Sequence, residues 1–214
     1  MSLVGTTTNR ARRFSLPALP ALLALIFSAC STATPPDARD YAAKLTADRA
    51  AKDAAFAASD DPIPGNRHAE LLPLAYFPID PDYDVPAALK PAESSAPMKM
   101  PTSTGTQRDM RRVGTLEFTL KGQPLTLTAF VEVGATDLNR LFVPFKDATA
   151  GTETYGGGRY LDLDRTATNL YDLDFNRAYN PYCYFNATYE CPIPPPESRL
   201  KVAVTAGEKV KTEK

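Results

Sequence analysis

The chain has no tryptophan, one histidine and three cysteines among its 214 residues. A single imidazole excludes metal sites built on several histidines, and it leaves a Ser-His-Asp triad only if His68 served it. His68 lies in the polar stretch Asn66-Arg67-His68-Ala69-Glu70, where a surface role is the ordinary reading. A basic stripe is also missing: 24 Lys and Arg against 25 Asp and Glu give a net charge of −1, so the electrostatic footprint of nucleic-acid binding is absent. Glycine is outnumbered by proline, 11 to 20. Eight of the prolines fall within residues 60–97 and forbid a long helix there. What the chain does hold is 43% hydrophobic residues, enough to fill the core of one ordinary domain.

One long apolar run exists, residues 14–27, preceded by Arg10, Arg12 and Arg13 and followed by small residues ending at Cys30. At about 1.5 Å per residue the run reaches only about 21 Å as a helix, short of a hydrocarbon core of roughly 30 Å. Residues 1–29 are therefore expected to be a secretory signal. Phe27-Ser28-Ala29-Cys30 resembles a bacterial lipobox, which makes Cys30 the expected lipidation site and the membrane a partner through that lipid. Ordinary cleavage after Ser31-Thr32-Ala33 is the alternative and would give a soluble periplasmic protein. Ser31, with no Asp after the Cys, resembles the pattern that sorts such proteins to an outer membrane, so the expected location is the bacterial envelope, facing the periplasm. Without residues 1–29 the chain carries 21 basic and 25 acidic groups, net −4.

If Cys30 carries lipid, Cys183 and Cys191 remain as a pair in a compartment where disulfides persist, and a bridge between them is expected. Zinc is the alternative, but two thiolates would need two further ligands, with His68 the only imidazole to offer.

Residues 30–36 form a small-residue and proline tether. Residues 37–59 are Ala-rich, with Tyr41, Leu45 and Phe56 on one stripe and i,i+4 pairs such as Asp40/Lys44 and Asp48/Lys52 elsewhere, predicting an amphipathic helix capped by Asp37. It would lie against the domain edge or remain a stalk. Residues 60–97 are an extended, proline-rich segment, within which Tyr83, Val85, Ala87 and Leu89 alternate like an edge strand bearing Pro86. Residues 98–209 form the β-rich core domain and 210–214 a charged tail. Within the core, Leu116, Phe118 and Leu120 alternate, Lys121-Gly122-Gln123-Pro124 turns, and Leu125 to Val133 alternates again, predicting a hairpin. Further strands are predicted at 106–110, 141–145, 159–164, 170–175 and 200–205. The fold class expected is mainly β: an antiparallel sandwich or open barrel with one N-terminal helix.

Chemistry-bearing residues concentrate in three stretches. The densest runs from Phe145 to Tyr160, with Asp147, Thr149, Glu153, Tyr155, Gly157, Gly158 and Arg159. Glycines admit close approach of a ligand, Arg clamps carboxylate or phosphate, and acids accept hydroxyls or move protons. The same residues also read as a wide loop locked by an internal ion pair to Arg159. A Walker loop is excluded, because its Lys is Gly157 here. In the second stretch, Asp172, Asp174 and Asn176 share one strand face, followed by a turn at Tyr179-Asn180-Pro181. A calcium loop fails there, with Arg177 where Gly is needed and Cys183 where Glu is needed. The third, Cys191 to Leu200, has four prolines in five positions, suggesting a stiff strut before Arg199.

Three motifs resemble the bacterial family known as domain of unknown function 1684: Phe145-x-Asp147-x-Thr149-x-Gly151-x-Glu153-Thr154-Tyr155-x-Gly157-Gly158-Arg159-Tyr160, then Asp174-Phe175-Asn176-x-Ala178-Tyr179-Asn180-Pro181-Tyr182-Cys183, then Cys191-Pro192 to Leu200. With Ala206-Gly207-Glu208-Lys209, the resemblance covers roughly residues 98–209 and departs at Ala150 and Ser198. It implies a shared β-rich fold and supplies no activity and no cofactor. Two functions follow as expectations. The first is a non-catalytic envelope lipoprotein, structural or binding a small polar or anionic ligand through Thr149, Tyr155, Gly157, Gly158, Arg159, Asn176, Tyr179, Asn180 and Arg199. The alternative is a carboxylate-dependent hydrolase with Glu153 as acid and Asp147 or Asp174 as base or nucleophile. No metal and no nucleic acid is expected.

Overall fold

The computed structural model describes Ser2, Gly5 and residues 38–211, and the fold lies in the compact unit Pro36–Lys214. Apart from Ser2 and Gly5, the signal segment, Cys30, the tether and Asp37 lie outside the described residues, as do residues 212–214. Among the described residues no helix is long and apolar enough to cross a membrane.

Seven strands form one antiparallel sheet: β1 Asp84–Pro91, β2 Pro97–Pro101, β3 Gln107–Leu120, β4 Gln123–Glu132, β5 Arg140–Phe145, β6 Arg159–Asp164 and β7 Leu170–Asp174. Their order is β6-β5-β4-β3-β1-β7, with β2 pairing on β3, and the sheet nearly closes into a barrel. The mainly-β, open-barrel expectation is met. Alternation fixes the inside: Leu116, Phe118 and Leu120 of β3, Leu127 and Ala129 of β4, and Leu141, Val143 and Phe145 of β5 all fall in one buried cluster. The β3–β4 turn is tighter than expected, only Lys121-Gly122, both at positive φ, the geometry that matches strand twist in a two-residue hairpin.

Three strand expectations are corrected. Strand β1 is not an edge, because it lies between β3 and β7; Pro86 is tolerated because the pairing with β3 begins only at Ala87. Strand β2, at the start of the β-rich core, falls where no strand was expected and is held by its ladder to β3. Residues 200–205 are not a strand: Leu200 and Val202 bond the backbone of Lys146 and Ala148, but the Val204 carbonyl turns to a side chain and no ladder forms.

Helix α1, Ala38–Ala57, packs on the domain through a narrow stripe in which Leu45 and Phe56 are buried. Polar anchors complete the stripe: the Tyr41 hydroxyl donates to Asp174 (2.9 Å), Arg49 to the carbonyls of Phe77 and Asn176, and the Leu74 N–H donates to Asp53. Lys52 pairs with Glu208, which is 2% exposed.

Candidate functional site

The Phe145–Tyr160 stretch folds inward. Arg159, at the start of β6, is 1% exposed, and its guanidinium donates to Asp147 (2.9 Å) and to the carbonyls of Val204 (2.8 Å), Ala206 and Glu208 (3.1 Å). Three alternate carbonyls of the extended segment 204–208 are thus satisfied by one side chain, and the backbone pairing that Leu200 and Val202 make with Lys146 and Ala148 does not continue into a ladder. The other Asp147 oxygen accepts the Thr149 N–H and hydroxyl and the Val204 N–H. Burial lowers the pKa of Arg159 and Asp147 opposes that shift. The ligand clamp expected of Arg159 and the base expected of Asp147 are corrected by this placement, because nearly every polar atom of the pair is engaged inside the fold.

The glycines serve packing in the same way. A Cβ on Gly157 would fall 2.4 Å from the Tyr155 ring, and one on Gly158, at φ +98, would fall 2.6 Å from the Phe145 carbonyl and 2.7 Å from Pro194. They make room for an aromatic ring and for the proline strut, not for a ligand. Thr149 is buried against Thr154, whereas Glu153 and Arg199 are exposed at the surface.

The second stretch is also interior. Asp174 accepts from Tyr41 and from the Asn176 N–H, and faces Arg177 at 3.2 Å. Asn176 is buried and clasps Asp80 through both ends of its amide. Asp84, opposite Asp174 in the β1–β7 register, is exposed but partly desolvated, and that desolvation together with Asp174 and Asp172 raises its pKa to about 6. Asn180 is buried, with its N–H on Glu208 and its amide on Lys209. What reads as a turn at Tyr179 is an antiparallel bridge to Tyr160. Asp147, Glu153 and Asp174 thus do not form a carboxylate pair lining a cleft.

Cys183 and Cys191 lie together but are free thiols, which corrects the disulfide expectation. The Cys183 N–H donates to the Cys191 Sγ at 3.0 Å. Hydrogen bonding from Cys191 lowers the Cys183 thiol to about 6 against the opposing effect of burial, with Tyr155 and Ser103 assisting. Tyr155 is pushed up to about 12 by burial and by Cys183.

The concave site lies on the outer face of the sheet. Phe142 of β5 and Tyr160 of β6 point away from the barrel, where alternation would ordinarily place solvated residues. Around them opens a groove of about 810 Å³, walled also by Phe56, Tyr179, Tyr182 and Tyr189. The rings meet edge to face: Phe142 on Tyr160 at 4.6 Å, Tyr160 on Tyr179 at 5.8 Å, Tyr182 on Tyr189 at 5.3 Å. Polar pairs stand among them. Asp162 accepts from Tyr179 Oη (2.8 Å) and Arg140 (2.8 Å), and Arg108 reaches Glu132 (3.4 Å) and the Glu190 carbonyl (3.0 Å). Burial, with Asp162, raises the Tyr179 pKa, so its hydroxyl stays a donor. Of the ligand residues expected from sequence, Tyr179 alone lines this groove. Phe142, Tyr160, Tyr182, Tyr189, Arg108 and Arg140 were missed; for Phe142 and Tyr160 the signal that could have found them is an aromatic residue at an outward strand position, and the others carry no such signal.

A second hollow of about 1040 Å³, at the barrel gap, is lined by apolar Phe118, Leu163 and Leu170 and by Glu117, Asp164 and Asp172, and no Lys or Arg among the described residues lines it.

No curated protein matches the chain. Among solved structures it is similar to the solution NMR structure of an uncharacterized protein from Haloarcula marismortui, at 38% identity and TM-score 0.64, over 80% of this chain and 95% of that one. That neighbour is from a haloarchaeon, so the likeness is not confined to bacteria. The family described as Protein of unknown function (DUF1684) matches residues 70–209, taking in most of the proline-rich segment that the motifs alone did not reach. The chain belongs to the DUF1684 family of proteins of unknown function.

Proposed function

We propose that this protein is a non-catalytic, exported and lipid-anchored envelope protein whose β domain binds a small polar ligand in the outer aromatic groove. The observation that carries the binding role is the groove itself. Its volume of about 810 Å³ falls within the roughly 300–1,000 Å³ usual for small-molecule sites. Its walls are aromatic, and two arginine–carboxylate pairs converge on it, a composition that both buries a ligand and orients it. Export and anchoring are supported by the signal-like residues 1–29 and the lipobox-like Phe27 to Cys30, and the tether would hold the domain near a membrane surface.

A thermal-shift screen of the purified protein against sugars, nucleotides and carboxylates tests the binding role. A ligand at a hundred times its Kd stabilises by about 2.7 kcal/mol. The expected outcome is a rise in Tm with one class that Tyr182→Ala abolishes and Glu153→Gln retains. A shift lost with Glu153→Gln and kept with Tyr182→Ala would move the site to the Gly-rich loop and overturn the reading.

A further inference from the structure

Charge in the groove discriminates among ligand classes. Its three cations are all occupied: Arg140 on Asp162 at 2.8 Å, Arg108 on Glu132 at 3.4 Å, and Lys52 on Glu208 at 2.5 Å. Two more acids, Asp137 and Glu190, line the groove with no ion pair among the described residues; Asp137 accepts the Asn139 N–H, and Glu190 accepts from Thr104 at 3.4 Å. An incoming anion therefore meets no uncompensated positive charge and has to break an existing pair to gain one.

A cationic ligand fares no better at the rings. Quaternary ammonium groups are held by several aromatic faces around one point. Here the Lys52 ammonium already lies over two of those faces, 5.2 Å from the Tyr179 centroid and 5.3 Å from that of Phe56. A second cation there would be repelled.

A neutral, hydroxyl-rich ring meets neither obstacle. Ionised carboxylates have about four acceptor sites and guanidinium five donors, so Asp162–Arg140 and Glu132–Arg108 retain capacity after pairing with each other. Each pair offers donor and acceptor side by side, the pattern that vicinal hydroxyls complement. Tyr182, 44% exposed and braced by Tyr189, presents an apolar surface for the C–H face of a pyranose.

Resting on the groove as the binding site, we infer that its ligand is a neutral saccharide, stacked on Tyr182 and oriented by the Asp162–Arg140 and Glu132–Arg108 pairs. Isothermal titration of the full chain with maltotriose, cellotriose and N,N′-diacetylchitobiose, beside trigalacturonate and choline, tests this. The expected result is saturable binding of at least one neutral sugar, at least tenfold tighter than trigalacturonate and with no heat from choline. Tyr182→Ala and Arg140→Ala, both at exposed positions that leave the core intact, should each weaken it about tenfold, or about 1.4 kcal/mol. Binding should also persist at about 0.5 M salt, where exposed-charge attraction is screened. If trigalacturonate or choline binds as tightly as the neutral sugars and loses affinity in Tyr182→Ala, the groove remains the site and the neutral-saccharide inference is overturned. If none of the five probes binds, or Tyr182→Ala changes nothing, both fall.

Discussion

The Arg159 region and the aromatic groove hold similar residue types, acids, arginines and tyrosines, and use them in opposite ways. At Arg159 an ion pair with side-chain exposures of 0% and 2% satisfies a strandless segment from within. At the groove the Arg140–Asp162 pair, 62% and 21% exposed, leaves its remaining donors and acceptors to solvent. The difference teaches that a dense polar motif marks a site only if its polar groups are left with unfilled capacity. Where the fold consumes them, the motif is architecture.

That contrast can be broken by variants that separate folding from binding. The largest effect is expected from Arg159→Ala, which strands the Asp147 carboxylate and three carbonyls in the interior; breaking such a buried pair costs about 3–5 kcal/mol. Urea unfolding should show this loss, whereas Tyr182→Ala should stay within about 0.5 kcal/mol of the wild type. Equal losses in both would dissolve the distinction. Next comes Gly158→Ala, where positive φ and contact with the Phe145 carbonyl and Pro194 should together cost about 2–3 kcal/mol. A neutral result on the thermal melt would mean that the proline strut yields easily.

Smaller effects sharpen the comparison at its margins. Alkylation of Cys183 by iodoacetamide should have its pH midpoint at about 6, the value to which the Cys191 contact lowers it, and buried Cys191 should lag. A midpoint near 8.5, the ordinary thiol value, would show that the contact does not activate the thiol. The smallest effect belongs to Asp84. Its pKa of about 6 in the fold lies above the unfolded value, so the native state binds the extra proton. The stability this adds is complete below about pH 4, the unfolded pKa, and is lost as pH rises through about 6. Asp84→Asn should therefore be more stable than wild type at pH 7 to 8 and equal to it below pH 4. Because Asp84 is exposed, solvent screening holds the gain under about 1 kcal/mol. Equal melting temperatures at pH 8 would place Asp84 in ordinary solvent.

Much of the barrel was legible because period-two alternation is local. The interior rows of β3 to β6, the hairpin and the helix stripe of Tyr41, Leu45 and Phe56 all follow from spacing. Residues 200–205 misled for a physical reason: alternation predicts an extended chain but not what its carbonyls will bond to, and here Val202 accepts from the Ala148 N–H and Val204 from the Arg159 guanidinium, both far upstream. Pro86 misled likewise, since a missing N–H suggests an edge only until register shows where pairing with β3 begins. The groove was largely illegible. Lys52, Arg108, Phe142, Tyr160 and Tyr189 come from α1, β3, β5, β6 and the loop after the short helix Tyr182–Phe185, and no linear motif joins them.

By itself the sequence determined the fold class, most strands and the family motifs, because hydrophobic period, turn chemistry and family pattern are properties of neighbours along the chain. Only the tertiary structure decided that the Gly-rich stretch is a buried lock, that Cys183 and Cys191 are unbridged thiols, and that aromatic residues scattered over more than 130 positions share one groove. Burial, hydrogen-bond satisfaction and concavity depend on which distant segments pack together, and that is settled only when the sheet curls toward closure and the C-terminal segment packs onto it.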